Sequence, residues 1–261
     1  MKTIIKAIAI GLMIFVVFEL SGCFSTLSGN SDSKKSFSTT KSRTASSGRN
    51  LTIKVKEFDI KGREDQIKKA QEVLVSPSFA TSCATFEGLY KNSTQIVRCD
   101  IQNVGFTVKN GMPYTKLDVK VTDSLKGDLH IDDIITIIQY GGYMTIQDEI
   151  EAFNNEVHFA GMTKEERENT IIEKKITKEA YPKAGESYVY FLSLNNKFSG
   201  AYVPVNDYEC RYKLNSKGRF VRYMPQNESN AKAFTSDEIQ SVDNCTFEWM
   251  KQQIQYIASK R

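Results

Sequence analysis

The strongest constraint on the fold is a pair of strand-like runs in the middle of the chain, joined by a turn. Leu117, Val119 and Val121 alternate with polar residues, which is the period-two pattern of a strand with one face in the core. A glycine-containing turn at residues 126–128 and a β-branched run at residues 134–138 follow. The sequence therefore predicts a central antiparallel hairpin in a mainly β core.

Further strands and helices are predicted on both sides of this hairpin. Alternating patterns predict strands at Leu51, Ile53 and Val55, at Val97, Cys99 and Ile101, at Tyr188, Tyr190 and Leu192, and in a second hairpin of residues 211–214 with 220–223. Helical spacing predicts helices at residues 63–75, around 86–90, at about 163–173 and, as an amphipathic carboxyl-terminal helix, at about 245–258. The expected fold is one domain over residues 51–261, mainly β with flanking helices (α+β), with a charged insertion at about 143–181.

Five short segments of this region resemble a domain of uncharacterised exported proteins of Firmicutes. They are Pro113-Tyr114-Thr115, the alternation at 119–121, Ser124-Leu125-Lys126-Gly127, Ile134-Ile135-Thr136-Ile137 and Gly141-Gly142. They are also similar, more distantly, to the OB-fold of netrin-like modules, the fold of tissue inhibitors of metalloproteases. The resemblance covers residues 92–142, extends loosely to Leu194, and implies a small antiparallel OB-like barrel. Protease inhibition is not implied, because those inhibitors use an amino-terminal cysteine, whereas Leu51 opens this domain.

The amino-terminal residues form a leader that decides where the chain works. Lys2 and Lys6 flank the start of an apolar run at residues 7–18, which is too short for an ordinary spanning helix. The segment Leu20-Ser21-Gly22-Cys23 resembles the lipobox of bacterial lipoproteins. The resemblance implies a signal peptide at residues 1–22, followed by diacylglycerol and fatty acyl chains such as palmitate on Cys23. It also implies a protein that is lipid-anchored at the extracytoplasmic face of the cell membrane, as in Gram-positive bacteria. The alternative is an uncleaved anchor with a chance cysteine.

Residues 23–50 are predicted to be a lipid-anchored flexible linker. Ser, Thr, Gly, Lys and Arg dominate this stretch, so it cannot bury enough apolar surface to offset the entropy of ordering. A flexible chain of this length has a root-mean-square reach of ~30 Å. Five basic residues oppose Asp32 alone, so the linker either adds attraction to anionic lipids or serves as a soluble spacer.

The overall charge argues against a nucleic-acid partner. The chain has 35 basic and 31 acidic residues, and removal of residues 1–22 leaves it close to neutral. A nucleic-acid binder would normally concentrate basic residues on one face. We therefore expect an envelope protein or other envelope ligand, besides the membrane, as partner.

Four cysteines remain besides Cys23, an even number in an exported chain. Cys210 and Cys245 are the favoured disulfide pair, because Cys245 shares the second apolar side of the last helix and a hairpin bearing Cys210 could cover it. Cys83 and Cys99 are the less certain second pair. Buried thiols remain the alternative, since Gram-positive surfaces use disulfides sparingly.

The chemistry of cofactor or metal sites is not evident in the sequence. His130 and His158 stand alone, and neither a phosphate loop nor a nucleophile elbow occurs. Asp128, Asp132 and Asp133 are closer to a solvated turn than to a calcium loop. The sequence therefore predicts neither a cofactor nor a metal.

Two functional hypotheses remain. The favoured one is a surface-tethered binding module that is not an enzyme, with Tyr140, Tyr143 and Trp249 as candidate binding residues. The insertion at about 143–181 is predicted to contribute, since long connections in small domains are usually functional or disordered. The alternative is a hydrolase-like cell-envelope enzyme whose site forms only in three dimensions.

Overall fold

A computed structural model describes residues 48–75, 85–176, 180–195, 197–222 and 244–260. The predicted signal peptide, the lipidation site Cys23 and most of the predicted linker lie outside this part of the chain. Within it, no helix is both long enough and apolar enough to cross a bilayer.

The described chain is mainly β, as the sequence predicted, with helices flanking the strands. The strands are β1 (Asn50–Leu51), β2 (Gln71–Leu74), β3 (Gln95–Lys109), β4 (Met112–Lys126), β5 (Ile134–Tyr140), β6 (Gly142–Thr145), β7 (Ile171–Lys175), β8 (Ser187–Leu194), β9 (Tyr202–Pro204), β10 (Arg211–Leu214), β11 (Phe220–Arg222) and β12 (Asn244–Cys245). The α-helices are α1 (Glu64–Lys68), α2 (Phe86–Asn92), α3 (Ile146–Phe153), α4 (Lys164–Asn169) and α5 (Phe247–Ser259). Short 3₁₀ helices lie at Glu156–Phe159 and Asp207–Cys210.

The larger sheet is organised around an antiparallel meander of β3, β4 and β5, which contains the predicted central hairpin. Strand β8 pairs antiparallel with β3, and β9 pairs antiparallel with β8. Strand β9 also meets β5 in parallel, at Ile137 and Tyr202, so the pairings β5-β4-β3-β8-β9 return to β5. Strands β10, β11 and β12 extend the sheet beyond β8, and β1 pairs in parallel with the start of β5.

Strand alternation sorts the apolar residues of this sheet into two cores. The inner core comprises Val97, Cys99, Ile101, Leu117, Val119, Val121, Leu129, Ile135, Ile137, Tyr188, Tyr190, Leu192 and Tyr202. The opposite faces of β3 and β8 contribute to a helix-side core with α2, α5 and the outer strands, which includes Ile96, Val189, Phe191, Tyr212, Phe220 and Met250. The predicted amphipathic carboxyl-terminal helix is confirmed, because Met250, Ile254 and Ile257 are its buried residues.

The insertion folds around a small core of its own. Met144, Ile146, Ile150 and Ile172 form this insertion core. Val73 and Val108, which lie outside the insertion, pack against it. The strands β6 and β7 of the insertion form a second sheet with β2, which lies outside the insertion, in the order β2-β7-β6. The insertion is therefore joined to the rest of the domain by both packing and strand pairing.

Two predicted helices are wrong over part of their length. The predicted helix at 63–75 ends at Lys68, and Gln71–Leu74 instead form β2, which pairs in parallel with β7. The predicted helix at 163–173 has its capping box, between Thr163 and Glu166, but ends at Asn169. In both cases a strand partner in the second sheet outweighs weak local helical spacing, since short helices gain most of their stability from packing.

The predicted strand at Leu51, Ile53 and Val55 forms a ladder only at its start. We call residues 49–58 the strap. The alternation persists, because the apolar residues at 51, 53 and 55 are half-buried while residues 52, 54 and 56 are exposed. The strap therefore lies on the domain with one face, although regular pairing in β1 covers only Asn50–Leu51.

Candidate functional site

A cleft of about 690 Å³ lies where three separate segments meet. One wall is the end of the strap together with Asp59 and Arg63, and the second is the β3-β4 turn at residues 108–111. The third wall is the start of α3, at residues 145–152, with Glu168 from α4. The insertion thus forms this cleft jointly with parts of the chain that precede it.

The strap wall is held against β3 by backbone and side-chain contacts. Phe58 N–H donates to Phe106 O at 2.7 Å, and the Thr107 hydroxyl donates to Lys56 O at 2.7 Å. Glu57 forms an isolated antiparallel bridge with Thr107. These contacts fix the backbone of the wall and leave its side chains available to the cleft.

The second and third walls are held together by a turn that only a small residue fits. Asn110 and Gly111 both have left-handed backbone, with φ of 52° and 68°. A Cβ on Gly111 would lie 2.2 Å from Ala152 Cβ of α3. Asn-Gly is the preferred pair for a tight hairpin turn, and glycine here also lets α3 approach the hairpin.

A capping box fixes where α3 begins. Asp148 N–H donates to Thr145 Oγ1 at 3.0 Å, and Thr145 N–H donates to Asp148 Oδ2 at 2.8 Å. The two residues satisfy helix-end N–H groups reciprocally, which defines the orientation of the first turn. The Asp148 carboxylate is thereby engaged in the helix cap.

The charge of the cleft lining is mainly negative. The side chains comprise five carboxylates, Glu57, Asp59, Asp148, Glu151 and Glu168, against the two cations Lys56 and Arg63. Glu57 pairs with Lys116 at 3.1 Å, whereas Asp59, Glu151 and Glu168 are exposed. The arrangement favours cationic groups and disfavours phosphate, because like charges repel most strongly where low-dielectric walls focus the field.

Comparison with known proteins gives no relative. No protein family, curated protein or solved structure matches this chain.

The three predicted binding aromatics lie in three different places. Tyr140 packs edge-to-face on Tyr114, with ring centroids 5.9 Å apart. Trp249 is half-buried and packs on Phe86 at 5.5 Å. Neither they nor Tyr143 are among the described residues that line the cleft. The structure therefore does not bring the three together into one site.

Tyr143 belongs to a compact group of three rings. Its ring lies 4.8 Å from that of Phe106 and 5.6 Å from that of Tyr181, both edge-to-face. Burial, followed by the nearby Glu173, raises the pKa of Tyr143 to about 12. This packing is typical of a structural aromatic cluster, because the ring faces are turned to one another rather than to a ligand.

A partly buried carboxyl near Tyr140 was not predicted from the sequence. Asp207 accepts a hydrogen bond from Tyr140 N–H at 2.8 Å. Burial raises the pKa of this carboxyl, although the Arg211 charge and the Tyr140 N–H oppose the rise. Asn206 and Asp207 also have left-handed φ values of 53° and 51° in succession. The local sequence carried a weak signal, since Asn and Asp tolerate this backbone better than other non-glycine residues.

The three aspartates after the β4-β5 turn have separate partners. Asp133 accepts from Arg49 and from His130 N–H, and Asp132 pairs with Lys120 at 2.8 Å. Asp128 accepts from the Gln95 side chain at 2.6 Å. The side chain of Asp133 is only 1% exposed, so the prediction of a solvated turn is wrong for this residue. In the described part of the chain, no three or more His, Cys, Asp or Glu residues are grouped to hold a metal ion.

The structure does not place Cys210 beside Cys245. Cys245 lies opposite Phe220 of β11, and Phe220 lies opposite Leu214 of β10. Cys210 precedes β10, and a strand rise of ~3.3 Å per residue puts it ~13 Å along the strand from Leu214. A disulfide needs Cα atoms within about 7 Å, and the Cys210 thiol instead donates to Asp207 O at 2.9 Å. Their bridge stays a prediction of the sequence.

The second predicted pair also remains a prediction. Cys83 lies outside the described residues. Cys99 is fully buried in β3, as the strand pattern predicted, and burial raises the pKa of its thiol well above the usual range. A thiol kept protonated in this way is a poor nucleophile.

Proposed function

We propose that this protein is a lipid-anchored binding module at the extracytoplasmic face of the cell membrane, and that its core is an OB-type barrel. The ring of pairings supports the barrel: a three-strand meander, then β8 beside β3, then β9 joining β8 to β5. OB-type barrels are five-stranded, and they bind ligands with the loop between their first two strands, among others. In this chain that loop is the β3-β4 turn, which lines the cleft.

The observation that carries the binding role is the shared construction of the cleft. Its walls come from the barrel turn, the strap and the insertion, so the insertion adds a recognition surface at the position where OB-type barrels bind. A volume of about 690 Å³ suits a small ligand or a protruding side-chain segment. Its carboxylates favour a cationic segment of an envelope protein or other envelope ligand over a nucleic acid.

The lipid anchor is tested at Cys23. Cells that express the wild-type chain are labelled with radioactive fatty acid and compared with cells that express Cys23→Ala. Label on the wild type alone supports the anchor, because the thiol is the acylated atom. Equal label on both proteins would remove lipidation at Cys23 from the proposal.

The cleft is tested by charge reversal at two exposed lining residues. The cleft variant carries Glu151→Lys and Glu168→Lys together. The control variant carries Glu165→Lys and Glu248→Lys, which make the same charge change at exposed positions that do not line the cleft. Each protein is used to capture envelope components after a cooperative thermal transition has been checked. We expect the cleft variant to lose components that both the wild type and the control retain. Identical capture by all three proteins, or no capture by the wild type, would contradict this site.

A further inference from the structure

The strap connects two functional places that lie far apart on the domain. Its first residue, Arg49, contacts the buried carboxylate of Asp133 at the start of β5. Its last residues, Lys56 to Phe58, form a wall of the cleft. Between these ends the chain crosses β5, β4 and β3, as contacts with Thr136, Lys116 and Thr107 show.

The first end of the strap is held by a clamp, the Arg49-Asp133 pair. The Arg49 side chain donates through Nε and Nη2 to both carboxylate oxygens of Asp133, at 2.5–3.1 Å. The Arg49 N–H adds a bond to Asp133 Oδ1 at 2.8 Å, and Ile134 N–H donates to Arg49 O at 2.7 Å. Charge-assisted bidentate contacts of this kind are among the stronger polar contacts in proteins.

Between its ends the strap contributes three apolar side chains that are only half-buried, of which Leu51 packs against the inner core. Ile53 and Val55 are half-buried against a small cluster that contains Ile138 and Phe198. Ile53 N–H donates to the Thr136 hydroxyl at 3.0 Å, which is a side-chain acceptor rather than a ladder carbonyl. A segment with little buried apolar surface and little ladder pairing belongs to the low-stability end of a structure.

Two charged residues beneath the strap, Lys116 and Asp118, are paired with each other. Lys116 pairs with Glu57 of the strap, and it also pairs with Asp118 of β4 at 3.0 Å. The Thr136 hydroxyl donates to Asp118 at 2.8 Å. Departure of the strap would therefore leave Lys116 and Asp118 paired with each other.

We propose that the strap docks and undocks as one unit, so that the contacts of the clamp at Asp133 and those of the strap wall of the cleft form and break together. Undocking removes residues 56–58 from the cleft, and a ligand held by the docked cleft would tighten the clamp by the same free energy. The consequence for binding rests on the function proposed above, whereas the docking equilibrium itself requires no ligand.

Three backbone amides report on the start, middle and end of the strap. They are Ile134 N–H, bonded to Arg49 O, Ile53 N–H, bonded to Thr136, and Phe58 N–H, bonded to Phe106 O. Hydrogen exchange followed by mass spectrometry on the full chain in detergent measures peptides that contain each of them. In the wild type we expect all three regions to exchange faster than β3 and β4, because they open without global unfolding.

Two variants break the strap at opposite ends. Arg49→Ala removes the clamp, and Glu57→Gln weakens the far end at Lys116. If the strap is one unit, each variant speeds exchange at all three reporters by a common factor, about tenfold for Arg49→Ala. Lys54→Ala, at an exposed position of the strap, serves as the control and should change none of them.

The outcomes separate the alternatives. Faster exchange confined to the mutated end would show that the strap segments open independently, and would overturn the proposal. Equal acceleration of the reporters and of β3 and β4 would show that opening is global, and would overturn it as well. Where Arg49→Ala does not fold, the milder Glu57→Gln still decides between these results. Because no ligand is used, failure here is distinct from failure of the charge-reversal capture.

Discussion

Loss of the Asp133 charge should destabilise the protein at neutral pH and remove part of its sensitivity to acid. Burial alone raises the pKa of this carboxyl, but bonds from the Arg49 side chain, His130 N–H and Arg49 N–H outweigh burial and lower the pKa to about 2. The ordinary value is 3.8. The difference corresponds to up to about 2 kcal/mol of folding free energy, with the partly exposed Arg49 reducing it through solvent screening.

The sign of the pH dependence follows from the lowered pKa. A carboxyl that is more acidic in the folded state stabilises the fold above its unfolded pKa, and this stabilisation is lost as pH falls from 3.8 towards about 2. Asp133→Asn cannot ionise, so it lacks this contribution at every pH. Its free energy of unfolding at neutral pH should be lower than that of the wild type, by up to about 2 kcal/mol. The difference should shrink as the pH approaches about 2.

Urea unfolding at several pH values measures the effect. The single tryptophan, Trp249, is half-buried against Phe86 and should report the transition by fluorescence. The matched control is Lys120→Ala, which breaks the neighbouring pair with Asp132, whose side chains are 45% and 51% exposed. Such exposed pairs contribute about 0.5 kcal/mol or less. Equal losses in the two variants, or a loss in Asp133→Asn that does not change with pH, would refute the reasoning.

Three further predictions concern other parts of the domain. Asp207→Asn keeps an acceptor for Tyr140 N–H. Because burial raises the pKa of Asp207, the wild type loses stability as pH rises through that pKa, and the variant should gain stability relative to the wild type between acidic and neutral pH. Urea titrations that show no such gain would contradict this prediction. Gly111→Ala should lower the free energy of unfolding by about 2 kcal/mol in the same assay, because the alanine would adopt left-handed backbone and its Cβ would clash with Ala152. An unchanged urea midpoint would contradict this prediction. Peptide mapping without reduction should find Cys210 and Cys245 in separate peptides, as their register indicates, whereas a cross-linked peptide would support the sequence prediction and require a shift of β12.

Local sequence patterns were sufficient to predict the strands that have one face in a core. The alternation at Leu117, Val119 and Val121 predicted β4, and that at Tyr188 and Tyr190 predicted β8, because in each case the strand's own apolar residues reach the inner core. The same argument predicted the buried face of α5. In these elements, burial and local propensity favour the same structure.

Pairing decided the elements that the sequence predicted wrongly. Val73 and Leu74 have helical spacing with Ile67, but β2 forms there because β7 offers a parallel partner. This partner strand overlaps the predicted helix at 163–173 in residues 171–173. A single sequence contains no information about which distant segment will supply such a partner, so this outcome lay outside local reasoning.

The cleft could not be predicted for a related reason. Its walls are separated by about fifty residues from the strap to the β3-β4 turn, and by more than thirty from that turn to α3. Two of its local features have a sequence signal that no prediction above used: the Asn110-Gly111 turn and the Thr145-Asp148 cap. Both indicate where a backbone turns, but neither indicates which loops will meet. The predicted binding aromatics Tyr140, Tyr143 and Trp249 are half-buried and lie elsewhere.

The clamp and the cleft lie at different points along β4. Strand β4 begins at Met112, beside the cleft turn, and its Val121 exchanges backbone hydrogen bonds with Asp132 and Asp133. At ~3.3 Å per residue, the nine steps from Met112 to Val121 span up to about 30 Å. The chain that leads from the predicted lipid anchor enters at the clamp end, through Gly48 and Arg49. If Cys23 is lipidated, the acidic cleft therefore lies on the part of the hairpin that is remote from the point of attachment.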